Sequence, residues 1–250
     1  MKRLLTTTAL AIAVGSPALA FDPAAMSQAE REAFGSEIRA YLLENPEVIF
    51  EAVAVLEQRQ AEAQEAGDGA LIAANADALF DDTHSYVDGN PEGDITVVEF
   101  FDYRCGYCRK AFDDVNALLE QDGNIRLILK EFPILGEQST LSSRFAIATK
   151  QVAGDEAYKS VHDALMTFKG DLSDTALRRL AEGLGIDADP VLAHMNSDEV
   201  DVVIAANHAV GQAMQVSGTP SFVFGDQVLR GYVPLDGMLQ IAAEIRAQDG

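Results

Sequence analysis

The sequence predicts an α/β domain preceded by a helical N-terminal segment, and three observations carry that prediction. Two β-rich apolar runs, 95–101 and 125–132, flank a helix-length stretch and so form a βαβ unit. Residues 139–213 carry only helical periodicity. Two short strand-like runs, 221–224 and 227–230, surround Gly225-Asp226, a tight hairpin signal, and a last helix runs from about 234 to 247. The expected order is βαβ, a helical insertion, then ββα.

The chain opens with Lys2 and Arg3, an apolar stretch from Ala9 to Val14, and Ser16-Pro17-Ala18-Leu19-Ala20 before Phe21. A basic start, a short apolar core and a small-x-small site make residues 1–20 a secretory signal peptide cleaved near Ala20-Phe21, with an uncleaved amphipathic anchor as the alternative. The apolar core is shorter than the roughly 20 residues a transmembrane helix needs, and no later stretch approaches that length. The expected product is exported, periplasmic or otherwise outside the cytoplasm, without membrane insertion. Lys and Arg number 18 against 40 Asp and Glu, a formal net charge of −22. A field of that sign argues against nucleic acid and anionic membranes, which are bound mainly by basic patches.

Residues 22–80 read as helical, rich in Ala, Glu and Gln. Ser27-Gln28-Ala29-Glu30 fits a capping box, and Asn45-Pro46-Glu47 places a cap and a first-turn proline at the start of a second helix. That helix carries Ile49, Val53, Leu56, Gln60 and Ala63 at helical spacing, with Val48, Ala52 and Val55 beside them. Its apolar face packs either on the chain's own domain or against identical helices of other protomers. The polar stretch 57–65 reads as an exposed stalk and favours self-association. Gly67-Asp68-Gly69 is expected to break the helix, with one more short helix over 70–80. The expected domains are an oligomerisation segment over 21–66, a linker over 67–83 and a catalytic domain over 84–250.

Within the last of these, Asn90-Pro91-Glu92-Gly93-Asp94 is turn chemistry. The run 95–101 that follows is apolar on nearly every residue, which marks a central strand. Phe112, Val115, Leu118 and Leu119 give the next helix its buried side. In the insertion, Ala146, Ile147 and Val152, then Val161, Leu165 and Phe168, then Leu177, Leu180 and Leu184 recur at helical intervals, and Asp189-Pro190 starts a further helix.

Cys105-Gly106-Tyr107-Cys108 holds the only 2 cysteines of the chain. If a helix begins there, the two sulfurs lie one turn apart and can form a disulfide without backbone movement. Three other uses compete with redox exchange. A zinc site normally takes four ligands, and His84, His162, His194 and His208 show no matching spacing. A structural disulfide would close a very short loop and gain little chain entropy. Cu(I) ligation by the two thiolates is compatible with redox activity. Redox exchange leads, and it suits an oxidising compartment.

A βαβ, helices, ββα order with a CxxC at the first helix resembles a thioredoxin fold with the helical insertion of DsbA-like exported thiol:disulfide oxidoreductases. The resemblance spans about 84–248 and rests on Glu99-Phe100-Phe101-Asp102-Tyr103-Arg104-Cys105-Gly106-Tyr107-Cys108 together with Gly218-Thr219-Pro220-Ser221-Phe222. The helical N-terminal region and Lys130-Glu131-Phe132-Pro133-Ile134-Leu135-Gly136 are similar to ScsC-type proteins, which are exported, often oligomeric and associated with copper tolerance and disulfide shuffling.

The resemblance implies roles. Cys105, at a helix N-terminus that favours its thiolate, is the nucleophile, and Cys108 resolves through a Cys105–Cys108 disulfide. Gly106-Tyr107 offers no imidazole, resembles the dipeptide of the isomerase DsbC, and implies a milder potential than the strongest oxidants have. Pro220 is the cis-proline facing the disulfide, with Thr219 presenting backbone to a client strand; an ordinary trans proline at a strand start is the alternative. Glu99 is either the buried acid that moves the Cys108 proton or a solvent-facing edge residue. Lys130 either pairs with Glu99 across neighbouring strands or is solvated. Expected partners are misfolded client proteins, a membrane redox protein that resets the dithiol, and further copies of the chain, a trimer by resemblance. The four histidines read as packing or surface residues, and no flavin, nicotinamide or phosphate fingerprint is found, so no cofactor is expected. Disulfide isomerase is the favoured activity, with a monomeric DsbA-like oxidase and a Cu(I)-binding protein as the alternatives.

Overall fold

The structure is a computed structural model and describes residues 26–249, so the expected signal peptide and its cleavage site lie outside the described residues. The chain forms two compact units that divide between Arg59 and Gln60. Helix α1 (Gln28–Glu44) begins at Ser27, whose Oγ accepts from the Glu30 amide while Glu30 accepts from the Ser27 amide at 2.8 Å, a closed capping box. Asn45 ends α1, its Nδ2 donating to the Tyr41 carbonyl at 2.9 Å, and its own carbonyl accepts from the Val48 amide at the start of the next helix. Helix α2 (Glu47–Ala74) follows Pro46. Phe34, Ile38, Tyr41 and Leu43 on α1 and Ile49, Phe50, Val53, Val55 and Leu56 on α2 are exposed.

Contrary to the glycine signal, α2 does not break at Gly67-Asp68-Gly69; it runs on to Ala74, and α3 (Ala76–Phe80) follows Asn75. Asp68 takes both guanidinium nitrogens of Arg230, at 2.7 and 2.8 Å, and Ile72 is buried one turn later. Such tertiary anchoring outweighs the cost of about 1 kcal/mol that each glycine imposes on a helix.

The second unit is built on a five-stranded sheet of order β1-β3-β2-β4-β5. Strand β2 (Ile95–Phe101) pairs in parallel with β3 (Ile125–Glu131) across helix α4 (Gly106–Asp122), as the βαβ pattern requires. Strands β4 (Ser221–Phe224) and β5 (Gln227–Arg230) form the expected hairpin, with β4 antiparallel to β2. The remaining strand, β1 (Tyr86–Gly89), has no counterpart in the sequence pattern: its four residues are too short to show a period, and it forms because the far edge of β3 is open to antiparallel pairing.

Side chains alternate across the sheet. Val97, Phe101, Leu127 and Leu129 point into the larger core with α4, the insertion and the final helix α10 (Leu235–Asp249). Val98, Phe100, Ile128 and Phe132 point the other way, against Ile72, Leu79, Val210 and Met214. The insertion comprises α5 (Glu137–Ala153), α6 (Asp155–Thr167), α7 (Asp174–Gly183), α8 (Ala188–His194) and α9 (Asp198–Ala213). Arg246 clamps α10 in place, reaching Asp94 before β2 and Asp122 at the end of α4 at 2.7 to 2.8 Å.

Gly211 on α9 lies against the Phe132 ring so closely that an added Cβ would stand 2.5 Å from Cε2, whereas an added Cβ at Gly67 meets nothing within 4 Å. Gly211→Ala is therefore expected to cost about 1–3 kcal/mol through overpacking. Gly67→Ala is expected to gain up to about 1 kcal/mol through helix propensity. Denaturant midpoints of the two variants are expected to move in opposite directions.

Candidate functional site

The parallel pair β2 and β3 ends with Phe101 beside Glu131, so the loops that leave these strands emerge side by side. Asp102 ties the two loops together. Its buried carboxylate accepts from the Arg104 amide at 2.8 Å and from the amides of Ile134 and Leu135 at 2.9 and 3.1 Å, while its carbonyl accepts from the Cys105 amide at 3.0 Å. Cys105 is thereby held in extended conformation as the N-cap of α4, a 17-residue helix whose first amides and dipole favour an anion at that position.

The Thr219-Pro220 peptide bond is cis, and the Cys105 thiol donates to the Thr219 carbonyl at 3.1 Å. Strand β4 brings this bend into place: Ser221 pairs with Phe100, and the Pro220 carbonyl accepts from the Gly231 amide at 3.0 Å. Four of the residues singled out from sequence, Cys105, Cys108, Thr219 and Pro220, thus meet at one end of the sheet. Cys105 is nearly covered, with Gly106 and Tyr107 exposed beside it. Ile134 and Leu135 of the neighbouring loop, tied to Asp102 through their amides, are exposed too.

Cys108 is fully buried, and burial pushes its thiol well above the ordinary range, with a smaller push from the Glu99 charge. Glu99 lies inside the domain rather than at an edge, and burial raises its carboxyl to about 8. It borders a cavity of about 10 Å³ shared with Phe112, Val115, His162 and Met166, room for about one water. A buried thiol that holds its proton and a buried carboxyl poised near neutrality have the chemistry of a proton donor and acceptor. Both cysteines are free thiols in this structure.

Lys130 does not pair with Glu99. Glu99 stands opposite Leu129, so Lys130 falls one residue out of step and points to the other face of the sheet. There it is fully buried, bonded to the Ala78 carbonyl at 2.8 Å and paired with Asp82, which fixes the segment after α3 against the sheet. Removing Asp82 would leave an unpaired buried charge.

Sequence reasoning missed a second buried carboxylate. Glu131 accepts from the hydroxyls of Tyr103, Tyr158 and Ser143 at 2.7, 2.8 and 2.7 Å, and His162 lies 3.1 Å from the Tyr103 hydroxyl. A signal for it exists in part: Glu131 ends a strand whose odd positions, Ile125, Leu127 and Leu129, are all apolar and buried. His162 is in the core, where burial lowers it to about 3. Among the described residues, no group of three or more His, Cys, Asp or Glu side chains is arranged to hold a metal ion, which leaves the two thiols as the soft donors at hand. A larger groove of about 660 Å³, lined by Asp88, Asp113, Glu120, Lys159 and Asp163, includes neither cysteine.

Residues 96–243 match the family described as DSBA-like thioredoxin domain, and residues 30–63 match the copper resistance protein ScsC N-terminal domain. Among solved structures, a thioredoxin-like oxidoreductase from Silicibacter pomeroyi DSS-3 is 40% identical, covering 69% of this chain and 98% of its own, with a TM-score of 0.65. The thiol-disulfide exchange protein alpha-DsbA2 from Wolbachia pipientis is 26% identical over 73% of this chain and 98% of its own, with a TM-score of 0.68. Proteus mirabilis ScsC in a transitional conformation is 25% identical over 91% of this chain and all of its own (100%), with a TM-score of 0.64. A curated relative, Na(+)/H(+) antiporter NhaA 1 of Salinispora arenicola, is 32% identical over 143 residues, 57% of this chain, and the chain spans only 22% of that protein's length.

Glu99 and Glu131, the two acids that burial raises, set a pH dependence. Unfolded, both carboxyls lose their protons near 4.5; folded, Glu131 holds its proton to about 7 and Glu99 to about 8. The native state thus binds more protons between these limits, and the contribution of these groups to stability falls as pH rises from about 4.5 to about 8. Glu99→Gln is expected to flatten that fall, so that its unfolding free energy exceeds that of the wild type by an amount that grows to a few kcal/mol at pH 8.5, because each tenfold difference in proton affinity between the folded and unfolded chain is worth about 1.4 kcal/mol. The difference is read from denaturant titrations at pH 5 and 8.5. A constant difference at both would show that Glu99 is ionised throughout.

Proposed function

The chain belongs to the DSBA-like thioredoxin domain family, and on that premise we propose that it exchanges disulfides with protein clients, as an isomerase in preference to an oxidase. The observation that carries the reading is the Cys105 thiol at the N-terminus of α4, 3.1 Å from the carbonyl that precedes a cis-proline, with Cys108 buried behind it.

In the proposed reaction the Cys105 thiolate attacks one sulfur of a client disulfide. The client S–S bond breaks, a Cys105–client S–S bond forms, and the electron pair leaves on the other client sulfur. A client thiolate can then attack the client sulfur of the mixed disulfide, which forms a new client disulfide and returns Cys105 as thiolate with no net redox change. Alternatively Cys108 attacks Cys105 Sγ, which releases the client as a dithiol and leaves Cys105–Cys108 as a disulfide. The second route needs the Cys108 proton removed. Glu99, ionised above about 8 and near enough to bear on that thiol, is the acceptor we assign.

Three features favour isomerisation. Gly106-Tyr107 brings no imidazole to stabilise the Cys105 thiolate further. The exposed Tyr107, Ile134 and Leu135 suit the apolar segments of misfolded chains. The bare apolar faces of α1 and α2, in a region similar to the ScsC N-terminal domain, suit self-association, a trimer in our reading, which would present several dithiols to one client. We assign the helical segment before Gln60 to that association and the unit from Gln60 onward to catalysis, in an exported protein reset by a membrane redox partner. Residues 67–83, expected as a linker, are anchored in that unit by Asp68, Ile72 and Leu79. No helix among the described residues is long and apolar enough to cross a membrane. Copper buffering is the competing reading, supported by the two adjacent thiols and by the copper resistance description of the N-terminal match.

Cys108→Ala is expected to trap client adducts through Cys105 on non-reducing gels, and Glu99→Gln to slow release of the mixed disulfide by about 10²-fold at neutral pH. Absence of adducts from Cys108→Ala would overturn the order of attack. A chain lacking residues 22–65 is expected to be a monomer by light scattering that retains dithiol exchange and loses most of its activity on a protein with scrambled disulfides. Equal activity in both forms would favour the oxidase reading; tight Cu(I) binding with no activity on that substrate would favour copper buffering.

A further inference from the structure

Glu131 is a costly residue to place where it lies. It is buried at the end of β3, beside Phe101, on the face that looks toward α4 and the insertion. No Lys or Arg reaches it among the described hydrogen bonds and ion pairs, and a buried carboxyl without a cation is a net expense to folding. The partners of its carboxylate are hydroxyls, and they come from three separate elements: Tyr103 from the loop before Cys105, Ser143 from α5 and Tyr158 from α6.

The proton arrangement of this cluster is determined by its chemistry. When Glu131 is ionised its carboxylate only accepts, so the single Tyr103 hydroxyl proton points at it. His162 Nδ1, 3.1 Å from that hydroxyl, must then carry a proton and donate to it, which agrees with the neutral imidazole that burial enforces. The backbone of Tyr103 is held as well: its carbonyl accepts from Arg109 Nε at 2.7 Å. Glu131's own carbonyl accepts from Asn207 Nδ2 of α9 at 3.1 Å. The residue two places before Cys105 is therefore fixed at its side chain by the insertion and at its backbone by α4.

We propose that Glu131 is a positioning residue for thiol-disulfide exchange, setting the Tyr103 loop, and with it Cys105, through the hydroxyls of Tyr103, Tyr158 and Ser143. The inference rests on the assignment of Cys105 as nucleophile. Its strength should follow the charge of Glu131, because hydrogen bonds from hydroxyls to a carboxylate are shorter and stronger than those to a neutral acid. Burial raises Glu131 to about 7 despite the three hydroxyl donors, which places that change of charge within the working pH range. The titratable groups facing it are Tyr103 and Asp102 from the loop, and Tyr158 and, through Tyr103, His162 from α6; burial keeps both tyrosines protonated and His162 neutral near neutral pH.

The test uses the full chain, reduced, with the rate of Cys105 alkylation by iodoacetamide followed by mass spectrometry from pH 5 to 9. Glu131→Gln, Tyr103→Phe and the double variant are compared with the wild type. The wild-type profile is expected to show an inflection near pH 7 besides that of the thiol, and Glu131→Gln to lose it. Each single variant is expected to react about tenfold more slowly at pH 8, as the loss of one hydrogen bond to a charged group implies. The double variant is expected to be no slower than the worse single one, because both cut the same link. Rates within twofold of wild type with the inflection retained would overturn the proposal, and so would a lowered melting temperature with an unchanged profile. Should Glu131→Gln not fold, Tyr103→Phe, which keeps the ring, decides by the same two criteria. Labelling at Cys108 before Cys105 in the wild type would instead refute the nucleophile assignment beneath it.

Discussion

The parallel pairing of β2 with β3 is the constraint on which the rest of the domain depends. Its register brings Phe101 and Glu131 to the same level, so the loop before Cys105 and the loop at Ile134 and Leu135 start together and Asp102 can close one onto the other. It also decides the fate of each acid and base on the two strands. Odd positions of β2 and β3 share a face, which puts Glu99 and Glu131 beneath α4 and the insertion and sends Lys130 to the opposite side. A slip of one residue would exchange these faces and dismantle the site.

Three ionisable residues of β2 and β3 are buried by this arrangement, and the structure treats each differently. Lys130 is neutralised by Asp82 and holds the segment after α3 against the sheet. Glu131 is satisfied by hydroxyls alone. Glu99 is left beside a cavity with room for about one water, near a thiol that burial keeps protonated. Stability explains the first of these; the two acids share the face of the sheet that packs against α4, the helix that carries Cys108.

The N-terminal helices follow a different rule. Their capping box and proline start are local and need no tertiary contact, yet their apolar side chains remain exposed in the single chain. Past Gln60 the same helix is part of the second unit, anchored there by Asp68 and Ile72, which is why the glycines at 67 and 69 do not end it.

Strong local patterns were legible in the sequence: the apolar β2 and β3, the helical insertion, the Gly225-Asp226 hairpin, and a CxxC paired with a later Thr-Pro. These depend on periodicity and turn chemistry, which are properties of neighbouring residues. Tertiary structure alone decided the edge strand β1, the continuity of α2, the separation of Lys130 from Glu99 and the cluster around Glu131. Each of these turns on which residues distant in sequence meet. Pairing across an open strand edge, anchoring of a weak helix and the gathering of hydroxyls from three elements leave no periodic trace along the chain.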